Sequence, residues 1–179
     1  MNLLQRIIAA FRPAPGEPRV YVSPRQAGVT VTEDTALTYS AVWACVRVIS
    51  ESIAALPWHV YRTTPSGREP VENGVSWLLN TAPNGEMTAT SFREALLAHA
   101  LTWGNGYAEI VRDAANRPSE LVLLTPDRVE PKRDDAGRLY YEVKDDDVSV
   151  RALAPSSVFH VHGLSWDGLV GYSPVRMAA

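Results

Sequence analysis

A single cysteine, Cys45, two lysines and no surplus of positive charge set the first limits on this 179-residue chain. One thiol excludes an internal disulfide and a cysteine-rich zinc site. Seventeen Lys and Arg against twenty Asp and Glu leave a formal net charge of −3. That balance argues against a dedicated duplex-binding module, whose affinity would rest on many phosphate contacts. No apolar run approaches the ~20 residues that a membrane-spanning helix needs. No HExxH frame, GxSxG elbow or glycine loop between a strand and a helix occurs. The acidic run Asp145 to Asp147 lacks the glycine and spaced glutamate of a calcium loop, so it reads as a solvated turn. There is no internal repeat at the spacing of a solenoid or propeller.

What remains is an ordinary globular composition, 46% apolar and 21% charged. A domain of about 150 residues buries roughly 70% of its unfolded surface, enough for a core without covalent staples. The opening "MNLLQRIIAAFRP" puts Leu3, Leu4, Ile7, Ile8 and Phe11 on one helical face. It reads as a helix that docks on its own or a neighbouring subunit, ahead of a membrane-surface anchor. Residues 13–35 follow as an extended arm with room for a strand at Arg19–Val22.

The first strong helix is "TYSAVWACVRVISESIAALP". Ser40 is placed to cap it; Val42, Cys45, Val46, Ile49, Ile53 and Leu56 recur at helical spacing, and Pro57 ends it. Cys45 on that face reads as a buried structural thiol. "WHVYR" and "REPVE" are strands around a "TPSG" turn, and "VSWLLN" is a short helix. In "TSFREALLAHALTWG", Ser91 and Glu94 have capping-box spacing, and Phe92, Leu96, Ala100 and Trp103 share a face. His99 lies near that face with no second ligand at i+4, which favours a core or interface histidine. Beyond Gly106 the period changes to that of strands: "YAEIVRD", "ELVLLTP", "RVEPKRD", "RLYYEVK" and "VFHVHG" are divided by turns such as "DAANR" and "DDAG". The expectation is an α+β domain over 36–179, two main amphipathic helices packed on short, mainly antiparallel strands, preceded by the 1–35 arm.

Within "LTWGNGYAEI", Gly104 stands where a helix needs a left-handed residue to stop, and Asn105 and Gly106 tolerate the same conformation. The order is helix then strand, the reverse of a phosphate cradle, so the segment reads as a corner. His160 and His162 share one face of a strand, with Asp167 five residues on. Taken together they would suit a small metal-dependent hydrolase, against the plainer reading of a half-exposed strand face. Ser165 lacks an elbow that would expose it as a nucleophile.

The segments "ALTYSAVWACVRVISESIAALPWHVYR", "LLNTAPNGEMTATSFREALLAHALTWGNGYAEIVRD", "LLTPDRVEP", "GRLYYEV" and "VFHVHGLSWDGLVGYSPV", in that order, resemble the amino-terminal part of tailed-phage portal proteins of the HK97 family. The resemblance runs from about Thr35 to the end. It implies a dodecameric ring at one capsid vertex, through which double-stranded DNA passes without sequence-specific binding. It also implies contacts with the terminase large subunit, the major capsid protein and the head–tail adaptor. Portals of this family carry no catalytic activity and no cofactor, and occupy the virion after assembly in the host cytoplasm. The region seen here resembles the portal wing.

On that reading Trp43, Ile49 and Ile53 hold the first helix to the sheet. Trp103, Gly104, Asn105, Gly106 and Tyr107 fix the helix-to-strand corner. Asp167, Gly168, Gly171 and Pro174 shape the loop toward a following helix, for which Ser173 and Pro174 are the cap and first turn. Family members continue well beyond "GYSP", so the expectation is a fragment, a truncated frame or a prophage remnant. His162 stands where many relatives carry arginine. An accessory DNA-binding protein and the metal-dependent hydrolase are the alternatives.

Overall fold

The computed structural model describes residues 31–145 and 149–178. The expected amino-terminal helix, the strand at 19–22 and most of the acidic run lie outside them. The helices are α1 (Glu33–Ala36), α2 (Ser40–Ala54), α3 (Gly74–Asn80), α4 (Ala89–Trp103) and α5 (Pro174–Ala178). The strands are β1 (Tyr61–Thr64), β2 (Gly67–Pro70), β3 (Asn105–Arg112), β4 (Pro118–Leu124), β5 (Val129–Arg133), β6 (Leu139–Lys144), β7 (Val150–Leu153) and β8 (Val158–His162). They form a β1–β2 hairpin and two three-stranded sheets, in the orders β4-β3-β8 and β5-β6-β7, with every pairing antiparallel. The α+β class expected from the change of period is what the chain adopts.

Local chemistry explains the hairpins. Asp113 and Asp134 open two loops of the same design. In the first, Asp113 Oδ1 accepts from the backbone N–H of Ala115 and of Arg117, both at 2.9 Å. In the second, Asp134 Oδ1 accepts from Ala136 at 3.0 Å and from Arg138 at 2.8 Å. Each loop needs one left-handed residue, supplied by Asn116 (φ 60°) and Gly137 (φ 78°). The same backbone N–H donors, with the neighbouring arginine, hold both aspartates below the usual carboxylate range.

β3 organises the core because its alternate residues face opposite layers. Ala108 joins Leu78, Phe92, Leu96 and Leu121 beneath α3 and α4, where Phe92 and Leu96 are wholly buried. Tyr107 faces the other way and joins Val129, Tyr141, Val143 and Val158 between the two sheets. Helices, the first sheet and the second sheet are therefore stacked as three layers. Arg151 on β7 ties the sheets at their edge, reaching both Glu109 oxygens at 3.1 Å and Asp145 at 2.6 Å.

Three helical expectations are corrected. Ser40 is the first residue of α2 rather than its cap; Tyr39 holds that position without a side-chain bond. Thr88, not Ser91, caps α4, accepting from the Ser91 N–H at 3.2 Å. Above all, α2 lies against α4 and not against a sheet. Its covered stripe is Val42, Val46, Ser50 and Ala54, spaced by four, with Ser50 and Ala54 fully buried. Small residues there admit the α4 backbone closely, and one neighbouring helix covers only one stripe. Trp43, Ile49, Ile53 and Leu56 consequently point outward, and Cys45 is exposed. Trp43, Ile49 and Ile53 do not clamp this helix to the sheet.

Candidate functional site

The corner after α4 is built from backbone. Gly104 has φ +82° and ends the helix as a left-handed cap. A Cβ on Gly104 would overlap the Tyr172 carbonyl, and one on Gly171 would overlap the Gly104 carbonyl. Gly106 likewise admits the Leu96 carbonyl against its Cα. Close approach of two chain segments is thus the reason for these glycines.

Asn105 then acts as the clasp. Its Nδ2 donates to the Gly171 carbonyl at 2.9 Å, and its Oδ1 accepts from the Gly171 N–H at 2.8 Å. The side chain thereby completes the backbone hydrogen bonding of a segment 66 residues away. Gly163 N–H donates to the Gly104 carbonyl at 2.8 Å, and Ser173 Oγ to the Thr102 carbonyl at 2.7 Å. Ser173 also accepts from the Arg176 N–H at 3.2 Å, so the expected Ser173–Pro174 start of α5 is realised.

His160 connects this clasp to the second sheet. Its Nε2 lies 3.1 Å from Asn105 Oδ1, an oxygen that only accepts, so Nε2 carries the proton and donates. Nδ1 is then free to accept from the Tyr141 hydroxyl, also at 3.1 Å. The ring stacks on Tyr107 with centroids 4.4 Å apart. Burial, and secondarily the neighbouring His162, push the imidazole pKa down to about 4. Burial likewise raises the Tyr107 and Tyr141 hydroxyls, keeping both protonated as donors.

Those bonds undo the hydrolase reading. Both nitrogens of His160 are engaged within the protein, and His162 Nδ1 faces the Gly163 carbonyl at 3.0 Å. Asp167 Oδ1 instead organises its own loop, accepting from Leu169 and Val170 N–H at 3.0 Å and from Ser165 Oγ at 2.9 Å. Gly168, at φ +72°, supplies the turn. That loop presents Leu164 and Trp166 almost fully to solvent.

The expected corner and loop residues Trp103, Gly104, Asn105, Gly106, Tyr107, Gly171 and Pro174 therefore meet around one junction. Asp167 and Gly168 shape the adjoining loop, while Trp43, Ile49 and Ile53 form a separate exposed face on α2, with Arg47 5.1 Å above the Trp43 ring. Sequence reasoning missed two contacts. Glu33 is buried and pairs with Arg176 at 2.6 Å, and Arg176 also lies 5.8 Å over Trp103. Arg93 is buried and donates to the Leu56 carbonyl at 2.6 Å, satisfying the end of α2. Nothing in local patterning marks either; an arginine at a helical position covered by α2 is the only trace.

The site is thus a backbone-clasped corner beside a preshaped loop with two exposed apolar side chains, and among the described residues nothing covers the apolar face of α2. The chain belongs to the phage portal protein family, whose model matches residues 40–179. It is 32% identical over 152 residues to the portal protein of Enterobacteria phage HK97, covering 83% of this chain and 35% of that one. Its fold matches the neck of an empty gene transfer agent particle with TM-score 0.68 and 22% identity, over 96% of this chain and 46% of that one. The neck of the native particle, solved with twelve-fold symmetry, matches with TM-score 0.63 and 26% identity, over 99% and 46%. The chain thus spans about a third of the HK97 portal and less than half of the neck chains.

Proposed function

We propose that this chain works as the wing-like, amino-terminal part of a portal subunit. It stands in a ring at one capsid vertex, through which double-stranded DNA enters and leaves and to which the tail connector attaches. The ring is of twelve copies, and its partners are the terminase large subunit, the major capsid protein and the head–tail adaptor. The role is mechanical rather than catalytic, with no resident cofactor. Family membership across residues 40–179 supports this reading, and the matching neck chains come from ring reconstructions computed with six-fold and with twelve-fold symmetry.

The observation that carries it is the outward face of α2. Among the described residues nothing covers Trp43, Val48, Ile49 and Ile53, large apolar side chains of the kind a subunit surface buries. Weakly acidic net charge suits a channel component past which DNA slides without adhering.

Native mass spectrometry with negative-stain imaging of the same sample tests the proposal. Closed rings with a central hole are expected. A monomer at every concentration would defeat self-assembly by this chain, and salt-sensitive duplex binding would favour an accessory DNA-binding protein instead.

A further inference from the structure

Three Asn–Gly pairs occur in the chain, Asn73–Gly74, Asn84–Gly85 and Asn105–Gly106, and the fold holds them differently. An asparagine before glycine can lose its side-chain amide without a catalyst. The glycine nitrogen attacks Cγ, and with no Cβ on the glycine nothing crowds that approach. The step needs a carboxamide free to turn toward that nitrogen, an amide group free to leave and water beside the product.

Asn105 meets none of these conditions. It is buried, its Nδ2 donates to the Gly171 carbonyl, and its Oδ1 accepts from Gly171 and the His160 ring. Asn84 is held at three points. Its Nδ2 donates to the Leu121 carbonyl at 2.8 Å, and its Oδ1 accepts from the Glu86 and Met87 N–H groups, each at 2.9 Å. Turning that side chain would detach its loop from β4. Asn73 and Gly74 are both exposed, and one bond, from the Ser76 N–H to Oδ1 at 3.0 Å, holds the carboxamide. Among the described residues nothing accepts from Asn73 Nδ2. Open space surrounds Gly74 where a Cβ would stand.

We propose that Asn73 is a self-modification site of the folded chain, converting to aspartate and isoaspartate with water as the only co-reactant. The Gly74 nitrogen gives its proton to solvent and bonds to Cγ. The Cγ–Nδ2 bond breaks, and the amide leaves as ammonia with a proton from water. One water then opens the succinimide ring. Opening between Cγ and nitrogen gives aspartate; opening at the main-chain carbonyl gives isoaspartate, whose main chain runs through Cγ. Nothing is oxidised or reduced, and one amide plus one water becomes one carboxylic acid plus ammonia. One carboxylate added to a formal net charge of −3 makes it −4.

The two products act differently on α3. Aspartate keeps an oxygen for the Ser76 N–H and caps as well as asparagine does. Isoaspartate lengthens the main chain at the cap and displaces that oxygen. The helix it unsettles carries Leu78 into the core and, through Asn80, holds the Trp58 N–H at 2.9 Å and carbonyl at 2.8 Å. The modification is thus a one-way loosening of α3 at a fixed residue, and it does not depend on ring formation.

The full chain, folded and guanidinium-unfolded, is held in mildly alkaline heavy-oxygen water until the unfolded sample has converted at all three asparagines. Peptide mapping by mass spectrometry reads each site by its amide-to-acid mass change and its incorporated label. The folded chain should convert at Asn73 and retain Asn84 and Asn105. Gly74→Ala, which the open space accommodates, should convert several-fold more slowly because its Cβ crowds the attack. Hydrogen exchange at residues 76–80 should quicken in the isoaspartate fraction and stay unchanged in Asn73→Asp. An unconverted Asn73 in the folded chain, or conversion of Asn84 or Asn105 as fast as Asn73, overturns the proposal. Undiminished conversion in Gly74→Ala, or equal exchange in the two products, overturns it as well.

Discussion

Asn105 holds Gly171 by both of its backbone groups, donating to the carbonyl at 2.9 Å and accepting from the N–H at 2.8 Å. The contact joins the end of α4 to the loop before α5. Because Oδ1 also receives the His160 ring, one amide fixes the loop, the first sheet and the link to the second.

Asn105→Ala should therefore be severe. It strands the buried Gly171 amide and the His160 Nε2–H together, and each orphaned group costs about 1–3 kcal/mol. A total loss of about 2–6 kcal/mol in urea unfolding is expected by adding two such groups. Asn105→Asp keeps the acceptor, loses the donor and should fall between.

Two glycines in the same loop separate strain from collision. Gly168→Ala places a side chain at φ +72° with open space around it, costing about 1–2 kcal/mol. Gly171→Ala drives a Cβ into the Gly104 carbonyl, where backbone has to move, and should cost more. Gly104→Val combines both faults and should lower the melting temperature further than Gly168→Ala. Equal unfolding midpoints for the three variants would contradict the close approach of these segments.

The His160 network makes a signed pH prediction. Its folded pKa, about 4, lies below the ordinary histidine value of 6.5, so the neutral ring is favoured by folding. That contribution is complete above pH ~6.5 and is lost as pH falls toward about 4, because the unfolded chain binds the proton first. His99, lowered chiefly by burial, acts in the same direction. NMR of the imidazole should show the Nε2–H tautomer and no titration until pH is well below 6. A ring protonated at neutral pH would contradict the hydrogen bonds to Asn105 and Tyr141.

On α2, the two faces should respond oppositely. Ile53→Asp on the outward side should weaken self-association more than it lowers monomer stability. Ser50→Leu, on the covered stripe, should cost about 1–3 kcal/mol by overpacking against α4. Sedimentation velocity and thermal unfolding of both variants read the contrast. Destabilisation by Ile53→Asp with unchanged association would remove α2 as an interface.

Features set within a few residues were legible beforehand. Gly104 after a helical run gave its helix stop, "DAANR" and "DDAG" gave their hairpins, and Ser173–Pro174 gave the start of α5. His160 was visible only as a metal candidate, because pairing with Tyr141 and Asn105 across 19 and 55 residues leaves no local pattern. Glu33 and Arg176, 143 residues apart, were invisible for the same reason.

The amino-acid sequence by itself determined which long stretches are helix and which are strand, where α4 stops, where the chain turns and that the sheets pair antiparallel, since backbone sterics and alternating polarity act over short spans. Tertiary structure alone decided which stripe of α2 is covered. The sequence offers an apolar face through Ile49 and Ile53 and a smaller one through Ser50 and Ala54, and helical period ranks them only by hydrophobicity. Packing chose the smaller because close approach to α4 needs short side chains, and that choice left Trp43, Ile49 and Ile53 facing outward.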